Sequence, residues 1–336
     1  MWLHNTLTAE KAQPQWQRAL ANAVRDVPTL LRHLGLTAHD FRAAPAIERP
    51  FPLRVPWSYI ARMRHADPTD PLLLQVLPST QEAVITPGFT ADPVGDHAAQ
   101  VAPGLLQKYT GRVLLLLTGA CAIHCRYCFR QAFPYTAAGA TPEWSAALQY
   151  IRQHPSVSEV ILSGGDPLLL SDGRLTELVD ALDSIPHLQR LRLHTRLPIV
   201  LPERVNPELF SWLGCGRLQH TVVLHANHPH EYAPPAAQAL QQLQHARVNV
   251  LNQSVLLAGI NDTPEVLCQL QETGFAYGIL PYYLHLLDRA QGTAHFAVPE
   301  SKAQKLHQIL RERLPGYLVP RLVREEAGRA YKTPIT

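Results

Sequence analysis

Cys121, Cys125 and Cys128 fall within eight residues, in the run Cys121-Ala-Ile-His-Cys125-Arg-Tyr-Cys128. Thiolates hold iron–sulfur clusters, and a four-iron cube usually takes four of them. With three in this loop, one iron is left open, and an amine plus a carboxylate could chelate it. The competing readings are a zinc site or a chance grouping of buried cysteines. Zinc would want a fourth Cys or His nearby, and Cys215 and Cys268 lie far off without paired spacing. A second turn, Ser163-Gly164-Gly165-Asp166-Pro167, has two glycines that let backbone approach a ligand and a carboxylate that can accept from an ammonium. His225 and Gln253 stand near the ends of two later apolar runs.

These residues need elements to hold them. Short apolar or β-branched runs at Val113–Leu117, Glu159–Leu162, Arg190–His194, His220–His225, Val248–Leu256 and Tyr277–Leu284 predict six strands. Between them Thr141–Gln153 (Thr141 as cap, Pro142 in the first turn), Arg174–Ser184, Pro207–Leu213, Ala236–Ala246 and Thr263–Glu272 have helical character. Alternation of this kind predicts parallel strands with right-handed crossovers. Six units are fewer than the eight of a closed barrel, so the expectation is an α/β fold, an open (β/α)6 partial barrel. Polar residues gathered at the carboxyl ends of its strands would form one active face.

Apolar residues at helical spacing from Pro14 to Leu36, ending at Gly35, predict a mainly helical N-terminal region. The proline-rich stretch Ala43 to Gly104 suits short helices and loops over a core. The division expected is therefore 1–104 for this region, 105–298 for the barrel, and 299–336 for a C-terminal helix and tail. Hydrophobic residues make up 46% and charged ones 17%, which excludes disorder for most of the length. A net charge of +3 gives no field that would make nucleic acid the main ligand. Charged and amide residues interrupt Met1 to Asn22, which speaks against a signal peptide, and the longest apolar run is far short of the ~20 residues that span a bilayer. Few, clustered cysteines fit a reducing, cytoplasmic compartment.

The cysteine loop, with Tyr127 before its third cysteine, resembles that of the radical S-adenosylmethionine enzymes. There the open iron chelates S-adenosylmethionine, and electron transfer into the sulfonium yields a 5′-deoxyadenosyl radical. The resemblance makes Ser163, Gly164, Gly165, Asp166, His225 and Gln253 the expected contacts of that cofactor. It narrows further on Leu105-Leu106-Gln107-Lys108-Tyr109, Cys128-Phe129-Arg130, Asn227-His228-Pro229, Asn252-Gln253-Ser254-Val255-Leu256-Leu257, Pro281-Tyr282-Tyr283 and Gly316-Tyr317-Leu318-Val319-Pro320. These segments resemble the lysine 2,3-aminomutase family, most of all its short bacterial branch that makes β-lysine for modification of elongation factor P.

That resemblance implies a 4Fe-4S cluster, S-adenosylmethionine and pyridoxal 5′-phosphate, with Lys332 as the lysine that carries the pyridoxal group. It implies Lys108, Tyr109 and Arg112 as the phosphate-binding segment, Arg130 for the carboxylate of L-lysine, and Asp288 and Glu325 for its ε-ammonium. Glu325 departs from the aspartate of longer relatives, which bears on substrate pose. Thr263 stands where those relatives have a zinc-binding cysteine, so no structural zinc is expected, and Cys268 reads as a buried helix residue. The implied partners are an electron donor, elongation factor P with its lysine ligase, and a second copy of the chain. The radical chemistry calls for a closed, dry site, which would give the N-terminal region a covering role. A radical enzyme without pyridoxal phosphate, one acting on another amino acid, and an iron–sulfur protein without turnover remain as alternatives.

Overall fold

The computed structural model describes residues 13–41, 51–140 and 143–336. Its strands are β1 (Gln100–Ala102), β2 (Leu105–Tyr109), β3 (Arg112–Leu116), β4 (Glu159–Ser163), β5 (Arg190–Thr195), β6 (Gln219–Leu224), β7 (Val248–Val255), β8 (Leu280–His285), β9 (Arg321–Arg324) and β10 (Thr333–Pro334). They form one ten-stranded sheet whose spatial order is the chain order. Neighbours from β3 to β9 pair in parallel, while β1–β2, β2–β3 and β9–β10 are antiparallel. Among the described residues β10 does not pair with β1, so the sheet is an open partial barrel.

All six expected runs are strands, and the sheet continues past them at both ends. β2 and β3 are joined by Thr110-Gly111, with Gly111 at φ 78°, a tight turn that reverses the chain. β9 and β10 are four and two residues long, too short to carry a readable period.

Alternation sorts the side chains. On β5, Leu191 and Leu193 join the main core with Val160, Leu162, Val222 and Val250, and with Leu175, Leu178 and Leu182 from the helix Asp172–Asp183. Arg190, Arg192 and His194 take the opposite, inner face. A second core packs the helix Glu300–Arg313 on β8 and β9 through Leu306, Leu310, Leu284 and Leu322, and takes in Ile335.

Three expectations are corrected. The single helix read from Pro14 to Leu36 is two, Gln15–Ala21 and Val27–His33. Between them Val24 bridges to Val55, and Asp26 starts the second helix by accepting from Thr29 N at 2.8 Å, with proline in its first turn. Pro207–Leu213 contains one 3-10 turn, Leu209–Ser211, and no α-helix. Cys268, on the helix Pro264–Ala276, is partly buried, not buried. Thr141 and Pro142, expected as cap and first turn, lie outside the described residues, as do most of Met1 to Asn22 and part of the proline-rich stretch; the helix that follows is Ser145–Gln153. Among the described residues no helix is long and apolar enough to cross a membrane.

Candidate active site

The cysteine loop leaves the carboxyl end of β3 and is braced by the described part of the N-terminal region. Arg54 Nη1 donates to Cys121 O at 2.9 Å, and the N–H groups of His124 and Arg126 donate to Arg54 O and Gln75 O. Arg126 is buried and pairs with Glu82, with Nε to Oε1 at 2.9 Å. Ala122 and Ile123 sink into the main core. Sequence reading assigned this region a cover; what the described residues do is hold the loop.

The three thiols sense one another. Burial, then Cys128, pushes the Cys121 thiol far up, and burial, then Cys125, pushes Cys128 up to about 11. Buried thiols that oppose one another's ionisation become thiolates only when a cation offsets the charge, as iron does. Among the described residues no three His, Cys, Asp or Glu side chains converge as a single metal ion requires. A cube takes one thiolate at each of three irons, so its sulfurs need not meet at one point.

The glycine turn follows β4 and lies against this loop. Gly165 N donates to Thr118 O at 2.6 Å and Asp166 N to Ala120 O at 2.8 Å. A Cβ on Gly165 would stand 2.1 Å from Ala120 O, and one on Gly164, at φ 123°, 2.4 Å from Thr118 O. Both glycines are therefore fixed by the close approach of the loop backbone. Gly165→Ala should cost at least the roughly 1–3 kcal/mol of an overpacked site and lower the iron retained after reconstitution. Gly173→Ala, with nothing within 4 Å, should leave melting temperature and iron content at the wild-type level. Equal iron content and equal melting in Gly165→Ala would show that the contact does not organise the loop.

Asp166 is buried, and its carboxylate accepts from Thr195 Oγ1 at 2.8 Å, Arg196 N at 2.7 Å and Leu168 N at 3.1 Å. Burial raises it to about 6 against those hydrogen bonds. The acceptor expected for a ligand's ammonium thus already ties the loop after β4 to the one after β5.

Polar side chains collect at the carboxyl ends of the parallel strands. Ser163 ends β4, His194 lies near the end of β5, His225 follows β6, Gln253 is on β7, His285 ends β8 and Glu325 follows β9. Gln253 Nε2 lies 3.1 Å from His225 Nε2, and the His194 and His225 rings meet edge to face at 5.7 Å. Burial, then the nearby cations Arg196, Arg130 and Lys332, holds His225 down at about 3; His194 and His285 are likewise far below the usual imidazole range, burial again leading. All three are neutral. His194 Nε2, Gln253 Oε1, His285 Nε2 and Asp288 Oδ1 are buried without a hydrogen-bond partner among the described residues. Unmet buried polar atoms gathered at one end of the sheet are what a polar ligand satisfies.

Lys332 reaches this site from the position just before the two-residue β10. It pairs with Glu325, sits 5.8 Å above the Tyr283 ring, and has a side chain only 19% exposed, which removes it from the class of solvated tail lysines. Burial would raise Glu325, but Lys332 and Lys108 hold it down to about 2. Burial, then Glu325, raises Asp288 to about 7. Arg130 is buried, with Nε 2.6 Å from Asp96 Oδ2 and Nη1 3.4 Å from Ser163 Oγ. The structure thus brings Arg130, Asp288, Glu325 and Lys332 into one electrostatic neighbourhood.

The expected phosphate segment divides. Arg112 stacks over the Tyr109 ring at 4.6 Å. Lys108 is committed elsewhere, with Nζ 2.8 Å from Val94 O, 2.7 Å from Asp96 Oδ1 and 3.1 Å from Glu325 Oε1. An ammonium has three donors, and these three contacts take them all.

Sequence reading missed Asp96, His194, His285, Arg196 and Glu231. The alternation Arg190, Arg192, His194 in an otherwise leucine-rich strand was a usable signal for His194. Asp96 lies in a proline-rich loop with no local pattern to mark it.

With this geometry in place, similarity to known proteins is informative. A model of the 4Fe-4S single cluster domain matches residues 109–189, which include the cysteine loop and the glycine turn. The chain is similar to the L-lysine 2,3-aminomutase of Haemophilus influenzae, 45% identical over 324 residues covering 96% of each chain. It is 44% identical to that of Escherichia coli over 96% of this chain and 95% of the relative. With the Clostridium subterminale L-lysine 2,3-aminomutase it shares 34% identity over 95% of this chain and 77% of the longer relative.

Proposed function

Because the chain belongs to the L-lysine 2,3-aminomutase family and is an isomerase that turns L-lysine into β-lysine, we propose how its own residues share that work. When bound, the 4Fe-4S cluster and S-adenosylmethionine supply a 5′-deoxyadenosyl radical that takes hydrogen from the lysine side chain, and pyridoxal 5′-phosphate supplies the π-system over which nitrogen migrates. Cys121, Cys125 and Cys128 would hold the cluster through their three thiolates. The turn Ser163 to Asp166, with His225 and Gln253, lines the place for S-adenosylmethionine; Asp166 acts there by joining two loops. Tyr109 and Arg112 meet the phosphate, with Lys108 recruited only if it leaves Asp96. Lys332 carries the pyridoxal group.

Arg130 takes lysine's carboxylate, and Asp288 with Glu325 takes its ε-ammonium. The observation that carries this reading is that each of these charges except Asp288 has an internal stand-in. Asp96 occupies Arg130 as a carboxylate would, and Lys332 and Lys108 occupy Glu325 as an ammonium would. Commitment of Lys332 elsewhere releases Glu325 for a cation from outside. The neutral imidazoles of His194, His225 and His285 keep the rest of the site free of competing charge. Within 1–104 the described residues brace the cluster loop, 105–298 serve as the barrel, and 299–336 as the carrier of Lys332.

The enzyme works in the cytoplasm, where thiols stay reduced, with a low-potential electron donor, and as a homo-oligomer. Its β-lysine goes to elongation factor P through a lysine ligase. Anaerobically reconstituted protein given S-adenosylmethionine, pyridoxal phosphate, dithionite and a panel of free amino acids should isomerise lysine and leave glutamate untouched, with product identified by NMR. Glutamate turnover equal to that of lysine would overturn the substrate assignment. Failure of the product to support ligation to elongation factor P would overturn the acceptor.

A further inference from the structure

Behind the middle cysteine lies a polar knot that substrate handling does not use. Arg196, the first residue after β5, has its N–H held by Asp166 at 2.7 Å and its side chain buried. Nη1 lies 2.6 Å from Cys125 Sγ. Nη2 donates to Glu231 Oε2 and Gln75 Oε1, each at 2.8 Å, and to Tyr59 OH at 3.3 Å. Glu231 is buried and accepts at Oε1 from the N–H groups of Asn227 and His228 and from Gln75 Nε2. A second buried guanidinium, Arg62, donates to the carbonyls of Glu231 and Ile199. Four elements distant in sequence converge on one ion pair.

Such a pair is a poor source of stability, because desolvating two charges offsets most of their attraction and apolar packing would serve as well. What apolar packing could not provide is the donor to Cys125 Sγ. A cube that gains one electron from a low-potential one-electron donor gains one negative charge, shared with its thiolates. A cation hydrogen-bonded to one of those sulfurs in a low-dielectric setting favours the reduced form more than the oxidised form. A carboxylate beyond that cation does the reverse. No proton needs to move.

We propose that Arg196 raises the reduction potential of the cluster through its hydrogen bond to Cys125 Sγ, and that Glu231 limits that rise, so that the pair sets the potential. The inference rests on Cys125 being an iron ligand. Both are positioning residues, acting on the cluster through a thiolate.

The test is a potentiometric titration of reconstituted protein with dithionite and mediators, followed by the paramagnetic signal of the reduced cluster. Arg196→Gln should lower the midpoint and Glu231→Gln should raise it. Each shift should correspond to about a tenfold change in the reduced-to-oxidised ratio at fixed potential, 59 mV for a one-electron couple. Opposite signs are the signature, since mere loosening of the site would move both variants alike. Midpoints that stay put, or shift together, in variants with full iron and sulfide content would overturn the proposal. If Arg196→Gln does not retain its cluster, Glu231→Gln decides alone, and an unchanged or lowered midpoint there is fatal. If neither glutamine variant folds, Arg196→Lys must lower the midpoint by a smaller amount, and an unchanged value would overturn it. Absence of any cluster from the wild-type protein would instead remove the cysteine assignment itself.

Discussion

Lys332→Ala should lose conversion of lysine to β-lysine by more than about a hundredfold while keeping the iron and sulfide content of the wild type. Two facts separate these readouts. Lys332 lies at the far end of the strand row from the cysteine loop, and its segment is fixed by neighbours that alanine does not disturb: Thr333 pairs with Arg324, Ile335 N donates to Leu322 O at 3.0 Å, and Ile335 is buried in the second core. Lys108 remains beside Glu325 in the variant and keeps that carboxylate ionised. Borohydride reduction of the wild type followed by peptide mapping should place the pyridoxyl adduct on Lys332. An adduct on Lys108 or Lys305, or full turnover by Lys332→Ala, would refute the role.

Asp288→Asn should lose lysine turnover and also stabilise the cofactor-free protein above neutral pH. Leaving an ammonium without its buried carboxylate typically costs about 2–5 kcal/mol, roughly thirtyfold to several-thousandfold in binding. The stability effect follows from the pKa. Asp288 ionises near 3.8 when unfolded and near 7 when folded, where burial and then Glu325 oppose its charge. The unfolded chain therefore binds fewer protons than the folded one between those values, and wild-type stability falls as pH rises across that interval. Asparagine escapes this. The variant's advantage should be on the order of a few kcal/mol at pH 8 and vanish by about pH 4. Melting curves at both pH values check it; a gap that does not change with pH would contradict the assignment.

What the sequence made legible was local. A strand of five to eight residues shows its period, so the six strands from β3 to β8 were readable, as were three cysteines in one turn and two adjacent glycines. Pairings set by the fold were not. Arg196 meets Cys125 across 71 residues and Glu231 across 35, and nothing near Arg196 in the chain distinguishes it from a surface arginine. Asp96 meets Lys108 and Arg130 only because β2 and the loop after β3 bring them to it. The break in the N-terminal helix was legible in principle: Asp26-Val27-Pro28 is a helix start that the apolar period across it concealed. Lys332 stood at the limit, since a tail lysine and one that leads into a two-residue strand look alike until the strand has found its neighbour.

The chain-ordered sheet has a further consequence for how the molecule comes together. Each strand from β3 to β9 docks on the one just before it, so the sheet can grow by short-range additions. The ends of the row meet through side chains, as Lys108 on β2 reaches Glu325 beyond β9 across 217 residues. Curling is thus a separate event from pairing, and it is held by charge. Glu325 and the neighbouring Lys332, late in the chain, therefore come beside the early strands only when the row curls, and not through any strand pairing of their own.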